Sequence, residues 1–435
     1  MRINRKIILA GIIYITLIGS VFYFRVYHKS DESIAKLDTK FQTPEESDKY
    51  VRFDMEVYDK ISKIYWMKAT DAELSSLFQL SIEKASGVPG TLLTKDRSGT
   101  AKMLAGAFSL ATTTEAKKQL AINTAIVVLY NISPIGRNQI LSQKQETAFR
   151  QEVSNINPQS DLYGVLGLAS GADIKEVESA YKKKEAELKK SNSGEAKAEL
   201  AKVTYSHSVL ANPDNKVFYD QAKIEPTLAN RKLNRTLYLD MSKMSPTTLI
   251  EFARTIDNAS TTKDLDSMII DFRGNIGGSL DFLPNFFGLF AGKDQYVFDF
   301  FQRGEYLPQR SVQPKFAELD RYKEIAILTD GMTQSTAELT AATFKRFHMA
   351  YVVGVKTRGW GTIENTYPMD TEIDPSEKYS LLLVNSITLR EDNQPIEGRG
   401  VEPNVDITKP NWKSELSKYF KSDSLIKAIG QVMSK

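Results

Sequence analysis

The feature that most constrains the fold is an alternation of apolar runs and helical segments between residues 234 and 410. "TLYLDM" and "SMIIDF" are rich in aliphatic and aromatic residues, and "SPTTLIEFARTID" between them predicts a helix. The runs "YKEIAILTD", "MAYVVGVKT" and "KYSLLLVNSITL" continue the pattern with three more predicted strands. Strands that alternate with helices predict an α/β sheet with helical crossovers.

Composition excludes several classes of protein. A chain of 435 residues, 41% apolar and 26% charged, is globular and long enough for two or three domains. Basic residues exceed acidic ones by three and are spread along the chain, so we expect no nucleic-acid partner. Cysteine is absent and the three histidines lack metal-ligand spacing, so we expect no metal and no cofactor.

Residues 1–28 carry a membrane signal. From Ile7 to Phe24 the chain has eighteen residues without a charge, which as a helix would span roughly 27 Å of hydrocarbon. Basic residues precede this run, and no small-residue cleavage pattern follows it, although a cleaved signal peptide is the alternative. We expect a single-pass signal anchor that contacts the cell membrane through residues 7–24, with the bulk of the chain outside the cytoplasm.

The remaining segments differ in their patterning. We predict a polar tether, a helical N-terminal region, a small helical module and a C-terminal helical tail, at residues 29–48, 49–157, 158–222 and 411–435. In the module, "GADIKEV" predicts a capped helix start, and a second helix is predicted from about Glu195 to Leu210.

Two stretches of the module, "DLYGVLGLASGADIKEVESAYKKK" and "AKVTYSHSVLANPDNKVFYD", resemble the first and last parts of a DnaJ-type J domain. J domains stimulate Hsp70 through a His-Pro-Asp tripeptide, but the matching region here is "LKKSNSGEA". The resemblance therefore implies a docking or spacing element with a possible protein partner, and not an Hsp70 partner. A rival interpretation takes "GVLGL" as the carboxylate-binding loop of a PDZ domain.

Two turns of the α/β region could carry chemistry. "IIDFRGNIGGSLDF" is a strand followed by a glycine turn, which leaves backbone N–H groups free. "DGMTQSTAELTAATF" places Ser335 and Glu338 at the spacing of a capping box. The same helix start would also offer free N–H groups to a developing oxyanion, and the two interpretations are compatible.

With "VVGVKTRGWGTIEN" and "LREDNQPIEGRGVEPNVDI", these turns in this order resemble the S41 peptidases, the family of C-terminal processing or tail-specific proteases. The resemblance covers residues 234–410 and implies a ClpP/crotonase-like core and a polypeptide substrate. It implies Ser335 as the nucleophile. The implied oxyanion hole is formed by the backbone N–H groups of Thr336 and of Gly277 or Gly278.

The sequence departs from the family at the general base. The processing proteases have a lysine where this chain has Trp360, whose indole N–H can only donate. The tricorn-like branch uses a histidine from a strand like "TLYLDM", where the nearest equivalent is Asp240. Lys356, four residues before Trp360, and Glu364 are the other candidates, the glutamate only if burial raises its pKa.

Two hypotheses about function follow. The first is a membrane-anchored serine endopeptidase that cleaves proteins or peptides outside the cytoplasm. The second is a non-catalytic S41-like protein that binds peptides or serves as a scaffold after the loss of its general base.

Overall fold

The computed structural model describes residues 42–434, which form two β-sheets and the helices packed around them. The predicted signal anchor at residues 7–24 lies outside the described residues. Within them, no helix is both long enough and apolar enough to cross a membrane.

The N-terminal region is mostly helical. After a short 3-10 helix, Pro44–Ser47, its elements are α1 (Lys49–Ile64), α2 (Asp71–Ser86), α3 (Arg97–Ser109), α4 (Thr114–Asn131), β1 (Gln139–Ser142) and α5 (Gln143–Val153). Helix α1 is the centre of this region, because Phe53, Val57 and Ile61, which recur every four residues, are fully buried. Strand β1 is the exception in the predicted helical region, since "QILS" is too short to be recognised without its pairing partner.

The module contains helices alone: α6 (Leu162–Leu166), α7 (Ile174–Leu188), α8 (Gly194–Leu210) and α9 (Pro213–Ala222). Helix α7 starts at the capping box predicted in "GADIKEV", formed by Asp173 and Glu176. The module has its own hydrophobic core, in which Tyr163, Val203 and Tyr219 are buried. The PDZ interpretation is wrong, because "GVLGL" lies in and just after α6 and not in a strand-to-strand loop.

The C-terminal part of the chain contains the sheet elements. Its strands are β2 (Leu228–Leu233), β3 (Thr236–Met241), β4 (Ser267–Asp271), β5 (Tyr296–Gln302), β6 (Glu305–Arg310), β7 (Glu324–Thr329), β8 (Tyr351–Gly354), β9 (Thr362–Pro368), β10 (Tyr379–Thr388) and β11 (Val405–Asp406). Its helices are α10 (Pro246–Ala259), α11 (Phe282–Ala291), α12 (Thr336–Arg346), α13 (Trp412–Tyr419) and α14 (Asp423–Met433), with a 3-10 helix at Ala317–Arg321.

The larger sheet has the strand order β11-β8-β7-β4-β3-β2 and is parallel except for β2. Both of its faces are covered by helices, so its central strands are continuously apolar. Leu237, Leu239 and Met241 face α10, α11 and α12, whereas Tyr238 packs in a second core with α13 and α14. Residues 411–434 are therefore a packed layer of the domain and not a free tail.

Strand β2 begins before residue 234, where we expected the α/β region to start. Its sequence, "LANRKL", is mostly polar because it is an exposed edge strand that pairs with β3 alone.

The second sheet is antiparallel, with β10 at its centre between β1, β5 and β9. The predicted strand in "KYSLLLVNSITL" is thus real, but it does not belong to the parallel sheet. Leu381 and Leu383 of β10 pack into the hydrophobic core of helices α1 to α4. This sheet joins the N-terminal helices to the α/β part of the chain.

Candidate active site

The carboxyl ends of β3, β4, β7 and β8 meet at one edge of the parallel sheet. Ligands of open α/β sheets bind at this edge, because the loops after the strands surround a common crevice there. The glycine turn follows β4, the serine turn follows β7, and the turn with Trp360 follows β8.

Ser335 is the N-cap of α12 and has φ 56° and ψ −125°. A serine at positive φ costs on the order of 1 to 3 kcal/mol, and such strain persists only where surrounding contacts enforce it. The side chain is half-buried at a sharp strand-to-helix turn. Strained turns of this kind present a nucleophilic hydroxyl in the α/β-hydrolases.

Gly277 lies directly against Ser335. A Cβ atom at Gly277 would be 2.8 Å from the Ser335 Cβ and 3.0 Å from the Thr336 nitrogen, and its φ of +89° also favours glycine. The glycine turn and the serine turn therefore contact each other without an intervening side chain.

The backbone N–H groups of the two turns are not equivalent. The Gly277 N–H donates to the Asn275 Oδ1 at 2.8 Å, so it is already engaged. Within residues 42–434 no acceptor is found for the N–H groups of Gly278 and Thr336. Of the two glycines expected at the oxyanion hole, only Gly278 keeps its donor free.

Asn275 and Asp330 support these turns, and the sequence analysis missed both. Asn275 is fully buried, and its Nδ2 donates to the Met241 backbone carbonyl at 2.6 Å. The backbone carbonyl of Asn275 accepts from the Gln334 N–H at 2.9 Å. Asp330 accepts from the Gly274 N–H at 3.0 Å across the two turns. Asp330 directly follows β7, and Asn275 lies in the turn after β4. Their place in turns was the available signal, since Asn and Asp often bond the backbone there.

Glu338 joins the serine turn to the Trp360 turn. Its buried carboxylate accepts four hydrogen bonds, from Thr357 Oγ1 (2.5 Å), Gly359 N–H (2.7 Å), Trp360 N–H (2.7 Å) and Ser335 N–H (2.9 Å). Burial raises the pKa of Glu338 above its usual value, while the four donors act in the opposite direction because they favour the ionised form. With two donors on each oxygen, Glu338 has no lone pair left for a proton of Ser335.

Trp360 is held on both sides. Its indole Nε1 donates to the Glu364 Oε1 at 3.1 Å, and the Arg137 guanidinium carbon lies 3.4 Å from the ring centroid. Arg137 also forms an ion pair with Glu397 at 3.0 Å, and the second oxygen of Glu397 accepts the Gly361 N–H at 2.8 Å. The residue at the expected lysine position is therefore fixed by a side chain from the N-terminal region.

Glu364 is a carboxylate beside this turn that keeps one oxygen without a donor. Its Oε1 accepts from Trp360 Nε1 and from Thr362 Oγ1, whereas Oε2 receives no hydrogen bond from the residues that the structure describes. Burial raises the pKa of Glu364, although the two donors and Arg137 act to lower it.

The other candidate bases lie in different surroundings. Lys356 has a side chain that is 52% exposed and forms an ion pair with Glu402 at 3.0 Å. Asp240 is exposed on β3, in register with Asp271 of β4. Among the described residues, no group of three or more His, Asp or Glu side chains could hold a metal ion.

A strained serine turn at the carboxyl edge of a parallel sheet, beside free backbone donors, is an arrangement that serine hydrolases use. The model of peptidase family S41 matches residues 235–407 of this chain.

Two proteins of Bacillus subtilis (strain 168) are among the relatives. The chain is 26% identical to the carboxy-terminal processing protease CtpB over 179 residues, which are 41% of this chain and 35% of CtpB. It is 25% identical to the carboxy-terminal processing protease CtpA over 218 residues, which are 50% of this chain and 44% of CtpA. The chain thus spans less than half the length of these curated relatives.

Among solved structures, the photosystem II D1 C-terminal processing protease is similar to this chain with a TM-score of 0.47 at 11% identity. The match covers 86% of this chain and 98% of that chain.

Proposed function

We propose that residues 234–410 hydrolyse peptide bonds of polypeptide substrates, with Ser335 as the nucleophile. The observation that carries this proposal is the strained Ser335 backbone beside two free N–H groups, those of Gly278 and Thr336. Strain at a half-buried serine is expected where a hydroxyl must be presented to a substrate. Fixed N–H donors for an oxyanion are typically worth about 3 kcal/mol each in the transition state.

Glu364 is the general base in this proposal. Glu338 is saturated by four donors, and Glu397 is bound by Arg137 and Gly361, whereas Glu364 keeps one free oxygen. A carboxylate is a useful base near neutral pH only when its pKa is raised, and burial has this effect on Glu364.

In the proposed reaction, the Ser335 Oγ attacks the carbonyl carbon of the substrate while Glu364 accepts the hydroxyl proton, directly or through a water molecule. The carbonyl oxygen becomes an oxyanion bound by the N–H groups of Gly278 and Thr336. Collapse of this intermediate breaks the C–N bond, and the proton passes from Glu364 to the departing amine. Water then hydrolyses the acyl-serine ester by the same steps.

The experiment uses the full-length chain in detergent. A fluorophosphonate probe should label the parent and the chain should cleave an unfolded protein, and both signals should vanish in Ser335→Ala. The cleavage rate should rise with pH through a pKa above the ordinary glutamate value of 4.5, and this dependence should be lost with most of the activity in Glu364→Gln. Absence of labelling and of cleavage between pH 5 and pH 10 would refute the peptidase proposal.

The second candidate function is peptide binding without turnover, and Trp360 is the observation that favours it. The indole occupies the position where the processing proteases that this chain resembles have a basic lysine. Both Arg137 and Glu364 hold it there. Cleavage that appears in Trp360→Lys but is absent from the parent would identify a lost general base and support this second function.

We further propose that the chain is anchored in the cell membrane through residues 7–24, with the described residues outside the cytoplasm. The uncharged run from Ile7 to Phe24 behind three basic residues supports this. Because the chain has no cysteine, single-cysteine variants can test it. An impermeant maleimide should label exposed Lys202→Cys on intact cells, and Arg2→Cys only after permeabilisation. The opposite pattern would contradict this orientation.

The helical module at residues 158–222 is proposed as a J-like docking or spacing element for a protein partner other than Hsp70. Its independent core and the exposed Val217 (53%) support a separate surface role. Equal co-purification of cellular proteins with the parent and with Val217→Asp would argue against this role.

A further inference from the structure

A cavity of about 330 Å³ lies between the helical module and the carboxyl edge of the parallel sheet. The module contributes Tyr205 from α8, and the segment after the module contributes Glu225. The sheet edge contributes Lys243, Gly274 and Ile276. The cavity is therefore built from parts of the chain that are distant in sequence.

The cavity adjoins the glycine turn of the candidate active site. Ile276, which lines the cavity and is 41% exposed, precedes Gly277, the residue in contact with Ser335. Met244, which follows Lys243, donates its N–H to the Gly277 carbonyl at 3.0 Å. A polypeptide bound at Ser335 could thus continue along the sheet edge into this cavity.

Lys243 is the unexplained group of the cavity. Its side chain is half-buried, and the structure gives its ammonium no hydrogen bond and no ion pair within residues 42–434. Burial lowers the pKa of Lys243, and the charge of Glu152 acts in the opposite direction. A partly desolvated ammonium without a partner is unfavourable, and a ligand carboxylate would remove this cost.

The other charged group of the cavity restricts what can bind there. The Glu225 Oε2 accepts a hydrogen bond of 2.5 Å from the Tyr205 hydroxyl, so this carboxylate is turned towards the module. One cation beside one engaged anion suits a ligand with a single negative charge and not a polyanion.

We propose that this cavity binds the substrate polypeptide next to the scissile bond, with Lys243 pairing with a carboxylate of that polypeptide. The carboxylate comes from an acidic side chain or from the chain terminus, and the wall supplied by Tyr205 gives the helical module a part in the binding site. This inference rests on the proposed polypeptide-binding function of the S41 domain.

The test measures binding, so it does not depend on turnover. Full-length Ser335→Ala is titrated against short fluorescein-labelled peptides of one sequence, containing either Asp or Asn, each with a free or an amidated C-terminus. Fluorescence anisotropy should show about tenfold tighter binding for the peptides with the relevant carboxylate, as expected for a charge-assisted hydrogen bond. Comparison of Asp with Asn, and of the free with the amidated C-terminus, identifies whether the carboxylate is a side chain or the chain terminus.

Lys243→Met should abolish this preference, and Lys243→Arg should retain most of it, which guards against a folding defect. Lys356→Met is the matched control, because that lysine is exposed and paired with Glu402, and it should leave the preference unchanged. Equal binding of all four peptides, or a preference that survives in Lys243→Met, would overturn the inference. Absence of fluorophosphonate labelling and of cleavage in the parent would refute the peptidase proposal without affecting this measurement.

Discussion

Glu338 provides the sharpest test of how the site is held together. Its carboxylate accepts two hydrogen bonds at each oxygen. Thr357 Oγ1 and Gly359 N–H donate to Oε1, and the N–H groups of Ser335 and Trp360 donate to Oε2. We predict that Glu338→Gln, which has almost the same shape, destabilises the domain and disorders Ser335. The reason is that an amide replaces one accepting oxygen by a donating NH2 group.

The magnitude follows from the donor count. Two of the four donors lose their acceptor in Glu338→Gln, and each unsatisfied buried donor costs about 1 to 3 kcal/mol. Removal of a buried charge recovers part of this loss. We expect the free energy of unfolding to fall by about 3 kcal/mol, and fluorophosphonate labelling of Ser335 to slow at least tenfold.

The assay is urea unfolding followed by the fluorescence of the three tryptophans, with labelling measured in parallel. Glu402→Gln is the control, since its side chain is 54% exposed and its ion pair with Lys356 should be worth less than about 1 kcal/mol. If Glu338→Gln unfolds and labels like the parent, the four-donor carboxylate does not hold the serine turn in place.

Three further predictions concern other parts of the molecule. Gly277→Ala should block fluorophosphonate labelling, because the new Cβ would lie 2.8 Å from the Cβ of Ser335. Arg137→Ala should lower the free energy of unfolding by about 1 to 2 kcal/mol and change the Trp360 fluorescence, since the ring loses its stacked cation. Asp54 is fully buried, and neither of its oxygens has a partner among the described residues, so burial raises its pKa. As pH rises from about 4, the free energy of unfolding of the parent should fall, by roughly 1.4 kcal/mol for each unit by which the folded pKa of Asp54 exceeds the unfolded pKa. Asp54→Asn should not show this fall.

Each of these has a control or a contrary outcome. Gly274→Ala introduces a side chain at a similar φ of +73° with nothing within 4 Å, so it should label normally. Arg137→Lys should restore little of the lost stability, because an ammonium does not stack like a guanidinium. The stability that protonated Asp54 contributes is fully present below the unfolded pKa of about 3.8, and it is lost as pH rises through the higher folded pKa. Parallel pH curves for the parent and Asp54→Asn would contradict this assignment.

Short-range patterns accounted for much of the parallel sheet. "TLYLDM" is strand β3 from its first residue to its last, and the helix predicted to follow it is α10. Apolar runs and turn residues are properties of neighbouring residues, so they can be recognised without knowing where the chain returns. For the same reason the order of the glycine, serine and tryptophan turns was visible in the sequence alone.

The sequence by itself determined that Ser335 starts a helix after a strand and that a tryptophan stands where a base was expected. Only the tertiary structure decided which groups surround them. Arg137 meets Glu397 across 260 residues, and β1 pairs with β10 across a similar separation. Likewise, Gly278 and not Gly277 keeps a free N–H because Asn275 takes the other. Partners of this kind depend on long-range packing and register, and local periodicity carries no information about either.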